Sequence, residues 1–230
     1  MLCLIADIKT SVPAAGGLAS RCADYLIEGD ESNAEIVIDE TSYNCERWNT
    51  LNHELAVYME SAAQFYTQLL DHEGMMLHAS ATVIDGEAYL FAGQCCIGKS
   101  THAGLLKQRF PDAVFINDDK PALRRVNGVW IAYGTPWCGK NSINTNASAP
   151  VRAITLLNVR RDRNLIRPAD PMRMVSGLLP CICGRTSKRS LLKVTPLLNS
   201  LIAEVPIYEM DSLADDAAAE MAYNAMKYGI

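Results

Sequence analysis

The chain has 230 residues, a formal net charge of −5 and a hydrophobic share of 49%. This length suits one large domain, or a core domain with a small appendage, and the composition is that of a soluble globular protein. The acidic balance and the lack of an apolar run of roughly 18 residues predict no nucleic-acid partner and no membrane span.

The first part of the chain lacks recognisable chemistry. Residues 1–48 hold short β-type runs such as "AEIVIDE", separated by Gly, Pro, Ser and Asn, and predict a small β-rich N-terminal appendage to a catalytic domain over residues 49–230. From Thr50 to His72 apolar residues recur at intervals of three and four, with Gly74 in the position of a C-terminal cap. This spacing predicts an amphipathic helix.

Two β-hairpins are predicted next. "HASATVI" and "EAYLF" flank Asp85-Gly86, and "ALRRV" and "VWIAYG" flank Asn127-Gly128. Both dipeptides favour two-residue type I′ turns, because each supplies two residues that tolerate positive φ. Further strands are expected at "AITLLNV" and "VPIYEM", and a last helix at Ser212, with Asp215 as a capping-box partner and Gly229 at its end. The chain therefore predicts a mixed α/β fold.

The strongest functional signal is Gly93-x-x-x-x-Gly98-Lys99-Ser100, which fits the P-loop template at every fixed position. A strand, Tyr89 to Phe91, precedes it and a helical stretch, Ser100 to Gln108, follows it. Backbone amides and a helix N-terminus can then face a phosphate. We expect nucleotide binding by Gly93, Gln94, Cys95, Cys96, Ile97, Gly98, Lys99, Ser100 and Thr101. Lys99 would contact the β- and γ-phosphates, and Ser100 would ligate Mg²⁺.

Two aspartates and a histidine complete the candidate site. Asp118 and Asp119 follow the apolar run "AVFIN", where a sheet can deliver carboxylates towards bound phosphates. In such a pair, one aspartate can stay ionised near the metal while the other accepts a proton. The alternative is that the two residues simply form a turn before Pro121. A lone histidine is more often structural, but the order of His78, hairpin, P-loop template and aspartate pair favours an active-site role for His78.

The stretch from about His78 to Trp137 resembles the catalytic domain of HPr kinase/phosphorylase, through "LHASATVIDG", "GQCCIGKST" and "NDDKPAL". It is most similar to short relatives, some of which phosphorylate serine on ribosomally made peptides. The resemblance implies the hairpin-rich mixed sheet also seen in ATP-dependent phosphoenolpyruvate carboxykinase. It also implies ATP and Mg²⁺ as cofactors, a peptide or small-protein substrate, Asp118 as base, His78 and Lys99 as catalytic residues, and Asp119 beside Ser100 at the metal.

The sequence departs from that family in two places. Serine and glycine are common in the family where this chain has Cys95 and Cys96. Cys96 is therefore expected to adopt a backbone conformation that suits glycine. A thiol beside a helix N-terminus is also expected to have a lowered pKa. The "EIRG"-like signature is absent, which leaves a second metal-binding carboxylate and a reverse phosphorylase reaction unassigned. "YGTPWCGKN" takes its place. Trp137 forms either an apolar wall near the acceptor or part of a packed turn.

Charge and cysteine patterns leave other points open. Eight irregularly spaced cysteines favour structural thiols in a cytoplasmic protein over disulfides, and Cys181 and Cys183 lack zinc-finger partners. Residues 152–193 are strongly basic and residues 204–220 acidic, which fits a solvated face or an anion-facing patch. Four arginines in that stretch are candidate acceptor contacts outside the catalytic set: Arg160, Arg161, Arg163 and Arg167.

A serine or threonine kinase is the function these features favour. A non-catalytic ATP-binding regulator, a free-amino-acid kinase and a carboxykinase-like decarboxylase share the same loop. The sequence predicts neither the acceptor nor the nucleotide preference, and a homo-oligomer is left open.

Overall fold

A computed structural model of the chain describes residues 1–38, 52–158, 162–182 and 187–230. The boundary predicted at residues 48 and 49 lies outside these ranges, as do Cys45, Cys183, Arg160 and Arg161. Among the helices of the described ranges, none combines the length and the apolar character required to cross a bilayer.

The N-terminal residues form a small three-stranded sheet. Its strands are β1 (Leu2–Ile5), β2 (Ile8–Ser11) and β3 (Ala34–Glu35), with the short helix α1 (Leu18–Arg21) between the last two. The sheet packs on the rest of the chain, since its buried residues share one hydrophobic cluster with the following helix, α2 (His53–Leu69). The described N-terminal residues thus contain short strands, and the division into a small β-rich appendage and a catalytic domain stays a prediction.

A second sheet forms the centre of the molecule. In the described ranges it has nine strands: β4 (Gly74–Met76), β5 (Ala79–Ile84), β6 (Glu87–Ala92), β7 (Val114–Asn117), β8 (Ala122–Val126), β9 (Val129–Tyr133), β10 (Ser148–Leu157), β11 (Leu165–Pro168) and β12 (Ile207–Asp211). They run in the order β4-β8-β9-β10-β6-β5-β7, and β12 pairs with β10 and β11. β10 is parallel to β6 and β12, while the other pairs are antiparallel. The predicted mixed sheet is confirmed.

Both predicted hairpins are present. β5 pairs with β6 and β8 pairs with β9, and the turn residues have positive φ angles of 52° and 77° at Asp85 and Gly86, and of 50° and 81° at Asn127 and Gly128. Such pairs of angles belong to type I′ turns, whose twist matches that of the strands. The first hairpin matters for the site, because β6 runs directly into the glycine-rich loop of residues 93–98.

Helices cover the central sheet. They are α2, α3 (Lys99–Arg109), α4 (Pro171–Leu178), α5 (Lys188–Glu204) and α6 (Asp216–Tyr228). The buried residues of α3 and α6 share one hydrophobic cluster with β6, while those of α5 join another cluster with β4, β6 and β8. Apolar residues of the sheet are thereby buried on both faces, which leaves the strand ends and the loops to form sites.

The beginning of α6 differs from the prediction. The helix starts after Asp215, whose side chain accepts the N–H of Ala218 at 2.8 Å, so Asp215 and not Ser212 is the N-cap. The Ser212 hydroxyl is already engaged by the ring of buried His102 at 2.6 Å and by the N–H of Ala214 at 2.9 Å. The predicted end is confirmed, with Gly229 as the C-cap at a φ of 84°.

The basic and acidic stretches pair with each other. Arg167 and Arg173 contact Glu209 at 2.6 and 3.3 Å, and Arg163 contacts Asp211 at 3.6 Å. Both carboxylates lie on β12 and are largely buried. Arg163 and Arg167 are nevertheless 53% and 57% exposed, so they lie on a solvated face whose charge is partly balanced by carboxylates of the same chain. An anion-facing role for this stretch stays a prediction.

Candidate functional site

The glycine-rich loop connects β6 to α3. Gly93 and Gly98 have φ angles of 145° and 109°, and Cys96 has a φ of 62°. The left-handed conformation expected to strain Cys96 is therefore adopted, at a cost that glycine avoids. Gly98 is the N-cap of α3, so Lys99, Ser100 and the first amides of the helix follow the loop directly.

Lys99 is tied to the loop and to His78. Its ammonium group donates to the carbonyl oxygens of Gly93 and Gln94 at 3.2 and 2.9 Å, and it lies 2.9 Å from Nε2 of His78. Only 6% of the residue is exposed. Burial lowers the pKa of Lys99, against the opposing influence of Asp119. The loop thus holds a cation in a largely dehydrated position, where its field is strong.

His78 links Lys99 to the aspartate pair. Its Nδ1 lies 2.8 Å from Oδ1 of Asp119, so this nitrogen donates to the carboxylate. Its Nε2 faces the ammonium group of Lys99, so the ring connects that cation to the carboxylate of Asp119. The partners of His78 are therefore Asp119 and Lys99.

The two aspartates have opposite electrostatic environments. Burial, reinforced by the neighbouring charge of Asp119, raises the pKa of Asp118 against the hydrogen bond from Gly139. For Asp119 burial acts in the same sense, but the hydrogen bond from His78 and the ion pair with Lys120 prevail and hold its pKa at about 2. Asp119 therefore stays ionised, while Asp118 is the more basic carboxylate and the better proton acceptor of the two.

Backbone and hydroxyl contacts hold the pair against the loop. The Ser80 hydroxyl donates to the carbonyl oxygen of Asp118 at 2.8 Å and lies 3.2 Å from the hydroxyl of Ser100, which reaches the same carbonyl at 3.2 Å. The side chain of Asn117 accepts the N–H groups of Asp119 and Lys120 at 2.9 and 2.6 Å. This closes an Asx turn, which fixes the backbone that carries both carboxylates.

Sequence reasoning missed four contributors to this arrangement: Ser80, Asn117, Lys120 and Gly139. Ser80 lies two residues after His78, and a strand places such residues on one face. Asn117 stands directly before the aspartates, where Asn commonly closes a turn. Those two signals were available in the sequence. The approach of Gly139 to Asp118 spans distant parts of the chain and carries no local signal.

Most of the predicted site residues line one cavity of about 500 Å³, named here the loop cavity. These are His78, Cys95, Cys96, Gly98, Lys99, Ser100, Thr101, Asp118 and Asp119. Gly93, Gln94 and Ile97 line a second cavity of about 430 Å³, which also borders Arg173 and Gly177. A phosphate chain and a carboxylate pair therefore have room to meet in the first cavity.

Trp137 does not line either cavity. It is fully buried, stacks on Phe65 with ring centroids 4.9 Å apart, and donates through Nε1 to the hydroxyl of Ser61 at 2.9 Å. The packed-turn alternative is therefore confirmed, and Trp137 forms no wall at the site. Its carbonyl oxygen accepts from the amide of Asn117 at 3.1 Å, so the turn supports the aspartate pair from behind.

The donors available to a metal ion are hydroxyl and carboxylate oxygens. Within the described ranges no group of three or more His, Cys, Asp or Glu side chains forms a ready-made metal cage. Mg²⁺ usually takes one or two protein oxygens together with substrate phosphates and water, so Ser100 and one carboxylate suit it. Asp119 already engages His78 and Lys120, and its assignment as the metal carboxylate stays a prediction.

Comparisons with known proteins found matches among solved structures alone. No protein-family model matches the chain, and no curated protein matches it. Among solved structures it is similar to the Hpr(Ser) kinase/phosphatase from Coxiella burnetii, with a TM-score of 0.36 and 16% identity over 64% of this chain and 91% of that one. A similarity of this strength does not establish a family or an activity, so a function has to rest on the residues of the site.

Proposed function

We propose that the protein is an ATP-dependent kinase that transfers the γ-phosphoryl group to a serine or threonine hydroxyl of a peptide or small protein. One observation carries the proposal. A buried lysine, the first hydroxyl of a helix and a carboxylate of raised pKa meet in one cavity beside a glycine-rich loop. Phosphoryl transfer requires this set, because it depends on positioning and on charge neutralisation.

The loop supplies the phosphate-binding groups. Amide groups of residues 93–101 would bind the β-phosphate, with the N-terminus of α3 pointing at it. Lys99 would neutralise the γ-phosphate, and the hydroxyl of Ser100 with Asp119 would hold Mg²⁺. When bound, Mg²⁺ supplies positive charge to the phosphate oxygens. Because these groups are already in position before the substrate binds, they can stabilise the transition-state charge without the reorganisation that water requires.

Asp118 would act on the acceptor. The acceptor oxygen forms a bond to the γ-phosphorus, the bond from that phosphorus to the bridging oxygen breaks, and ADP leaves with that oxygen. The proton of the acceptor hydroxyl passes to Asp118. A raised pKa suits this step, because a more basic carboxylate accepts the proton more readily. Asp119 and His78 orient Lys99 through their chain of hydrogen bonds.

The direct test is phosphorylation of a candidate acceptor. The protein is incubated with γ-labelled ATP, Mg²⁺ and the product of any small-peptide gene adjacent to its own gene, and the labelled residue is identified by mass spectrometry. We expect label on serine or threonine. Label on free amino acids alone supports a small-molecule kinase instead, and ATP binding without any transfer supports the regulator.

Gly139 is expected to be intolerant of a side chain. A Cβ atom at this position would lie 2.9 Å from Oδ2 and 3.1 Å from Oδ1 of Asp118, so the carboxylate must shift in Gly139→Ala. Displacement of a catalytic group by about 1 Å lowers a rate by roughly a hundredfold, and we expect a loss of that order in phosphoryl transfer. Gly104→Ala is the matched control, because nothing lies within 4 Å of a Cβ there. Equal transfer by the two variants contradicts the proposed role of Asp118.

The loop thiols report on nucleotide binding. Cys95 and Cys96 are exposed, lie 3.5 Å apart through their sulfur atoms, and line the loop cavity. The hydrogen bond to Cys96 raises the pKa of Cys95, which is opposite to the acidification expected beside a helix N-terminus. We therefore measure alkylation at mildly alkaline pH. ATP at ten times its Kd should slow alkylation of these two thiols about tenfold, and equal rates with and without ATP contradict binding at this loop.

A further inference from the structure

A third concavity, larger than the loop cavity, opens beside it. This groove of about 820 Å³ runs between α1, the start of α2 and the loop of residues 138–144, and is named here the α1–α2 groove. It shares Asp119, Gly139 and Lys140 with the loop cavity. Because the N–H of Gly139 donates to Asp118, one end of the groove lies at the candidate base. A chain bound along the groove can therefore present a side chain to Asp118.

Arg21 is held in place on the wall of this groove. Its guanidinium group lies 4.7 Å from the centroid of the Tyr58 ring, and one of its nitrogens lies 3.9 Å from the sulfur of Cys138. The hydroxyl of Tyr58 in turn donates to the carbonyl oxygen of Cys138, which fixes the ring. In the described part of the chain no carboxylate lies within ion-pair distance of Arg21. A cation oriented by an aromatic face is prepared for an external anion.

The groove as a whole carries positive charge on an acidic protein. Its charged lining residues are Arg21, Lys120, Lys140, Glu54 and Asp119. Lys120 and Asp119 neutralise each other in an ion pair, while exposed Lys140, like Arg21, has no ion-pair partner among the described residues. Two cations therefore face one carboxylate, although the chain has a net charge of −5. Such a local reversal of sign attracts anionic segments and orients them.

We propose that the α1–α2 groove binds the acceptor as an extended peptide with carboxylates close to its serine, and that Arg21 and Lys140 are the residues that select them. The proposal rests on the proposed kinase function and adds the class of acceptor to it. A peptide fits better than a free amino acid, because the groove exceeds the loop cavity in volume and its two unpaired cations lie on different walls. Arginine recognises a carboxylate through two parallel hydrogen bonds, which adds direction to the attraction.

The test uses serine peptide libraries in which each position near the serine is fixed as Asp/Glu in one pool and as Asn/Gln in its partner pool. For the wild-type protein, we expect kcat/KM to be about five- to tenfold higher for the acidic pool at one or more positions. Arg21→Gln and Lys140→Gln should each reduce this ratio to about twofold or less, and Arg21→Lys should retain only part of it, because lysine keeps the charge but not the paired hydrogen bonds. Raising the salt concentration should reduce the wild-type ratio, since salt screens exposed pairs. Arg109→Gln, at a surface pair with Glu220, is the matched control and should keep the full ratio.

Each outcome decides one question. A wild-type ratio near one, or an unchanged ratio in both glutamine variants, overturns the groove assignment. Phosphorylation of free serine with the same kcat/KM as the best peptide also overturns it. If no pool is phosphorylated at all, the kinase proposal fails. Peptide binding to the groove is then measured separately, as the retention of labelled peptide pools on immobilised Asp118→Asn protein. Preferential retention of acidic pools that is lost on adding Arg21→Gln supports the groove, and equal retention of both pools overturns it.

Discussion

Asp118→Asn is expected to abolish most phosphoryl transfer while ATP affinity stays within about twofold of wild type. Loss of a general base lowers a rate by about 10²–10⁴-fold. The amide keeps the shape of the side chain and an oxygen that can accept the N–H of Gly139. Transfer is measured with labelled ATP and peptide, and affinity by titration of ATP. An exposed residue on the turn before β7 provides the matched control, Asp112→Asn, which should transfer at the wild-type rate.

The same variant is expected to be more stable than wild type at neutral pH. The pKa of Asp118 is higher in the folded state than in the unfolded state, so ionisation of this carboxyl lowers the stability of the fold. This loss of stability is absent below the unfolded-state pKa and develops as pH rises through the folded-state pKa. The gain in Tm of Asp118→Asn over wild type should therefore be small near pH 4 and larger at pH 7. A carboxylate that destabilises its own fold is common in catalytic sites, so this result would agree with the proposed role of Asp118.

The outcome for Asp118→Asn separates the kinase from the regulator. A regulator requires Lys99 and Ser100 to hold ATP but does not require a base. Unchanged biological output together with unchanged ATP binding in the variant supports a regulator. Transfer at the wild-type rate would show that Asp118 is not the proton acceptor, whatever the class of substrate.

Lys99→Met is expected to have the second large effect, a loss of both ATP affinity and transfer. The ammonium group of Lys99 donates to two loop carbonyls and to His78, so its removal withdraws the charge facing the phosphates and also loosens the loop. Electrostatic groups of this kind contribute about 10²–10³-fold to a rate. ATP titration and single-turnover transfer measure the two effects separately.

The control for Lys99→Met is a lysine on the surface. Lys188 is exposed at the start of α5, and Lys188→Met should change neither ATP affinity nor transfer. If Lys99→Met binds ATP as well as this control does, the ammonium group of Lys99 does not contact the phosphates. A lower melting temperature without loss of ATP affinity would show that Lys99 stabilises the loop and does not bind the nucleotide.

Two helices escaped prediction for reasons that lie in their sequences. α5 contains Pro196 and α4 begins at Pro171, and proline within a periodic stretch normally marks an end. Pro171 instead occupies the first turn of α4, where its missing N–H costs nothing. α5 continues through Pro196 because Val194, Leu198 and Leu201 are buried against the sheet. Tertiary packing here outweighs local preference.

The local order of residues alone determined the hairpins, the glycine-rich loop with its helix, and the strand that ends at the aspartate pair. Each depends on φ preferences or on periodicity over a few neighbours, so a short stretch of sequence suffices. The identities of Lys99, Ser100, Asp118 and His78 as candidates followed from their spacing relative to these elements.

The tertiary structure alone decided which of these groups touch and how each carboxylate behaves. Asp119 rather than Asp118 meets His78, Gly139 approaches Asp118 from a distant loop, and α1 brings Arg21 to the groove beside them. These contacts join residues far apart in the chain. Burial and neighbouring charges set the two pKa values in opposite directions, and neither quantity exists until the chain is folded.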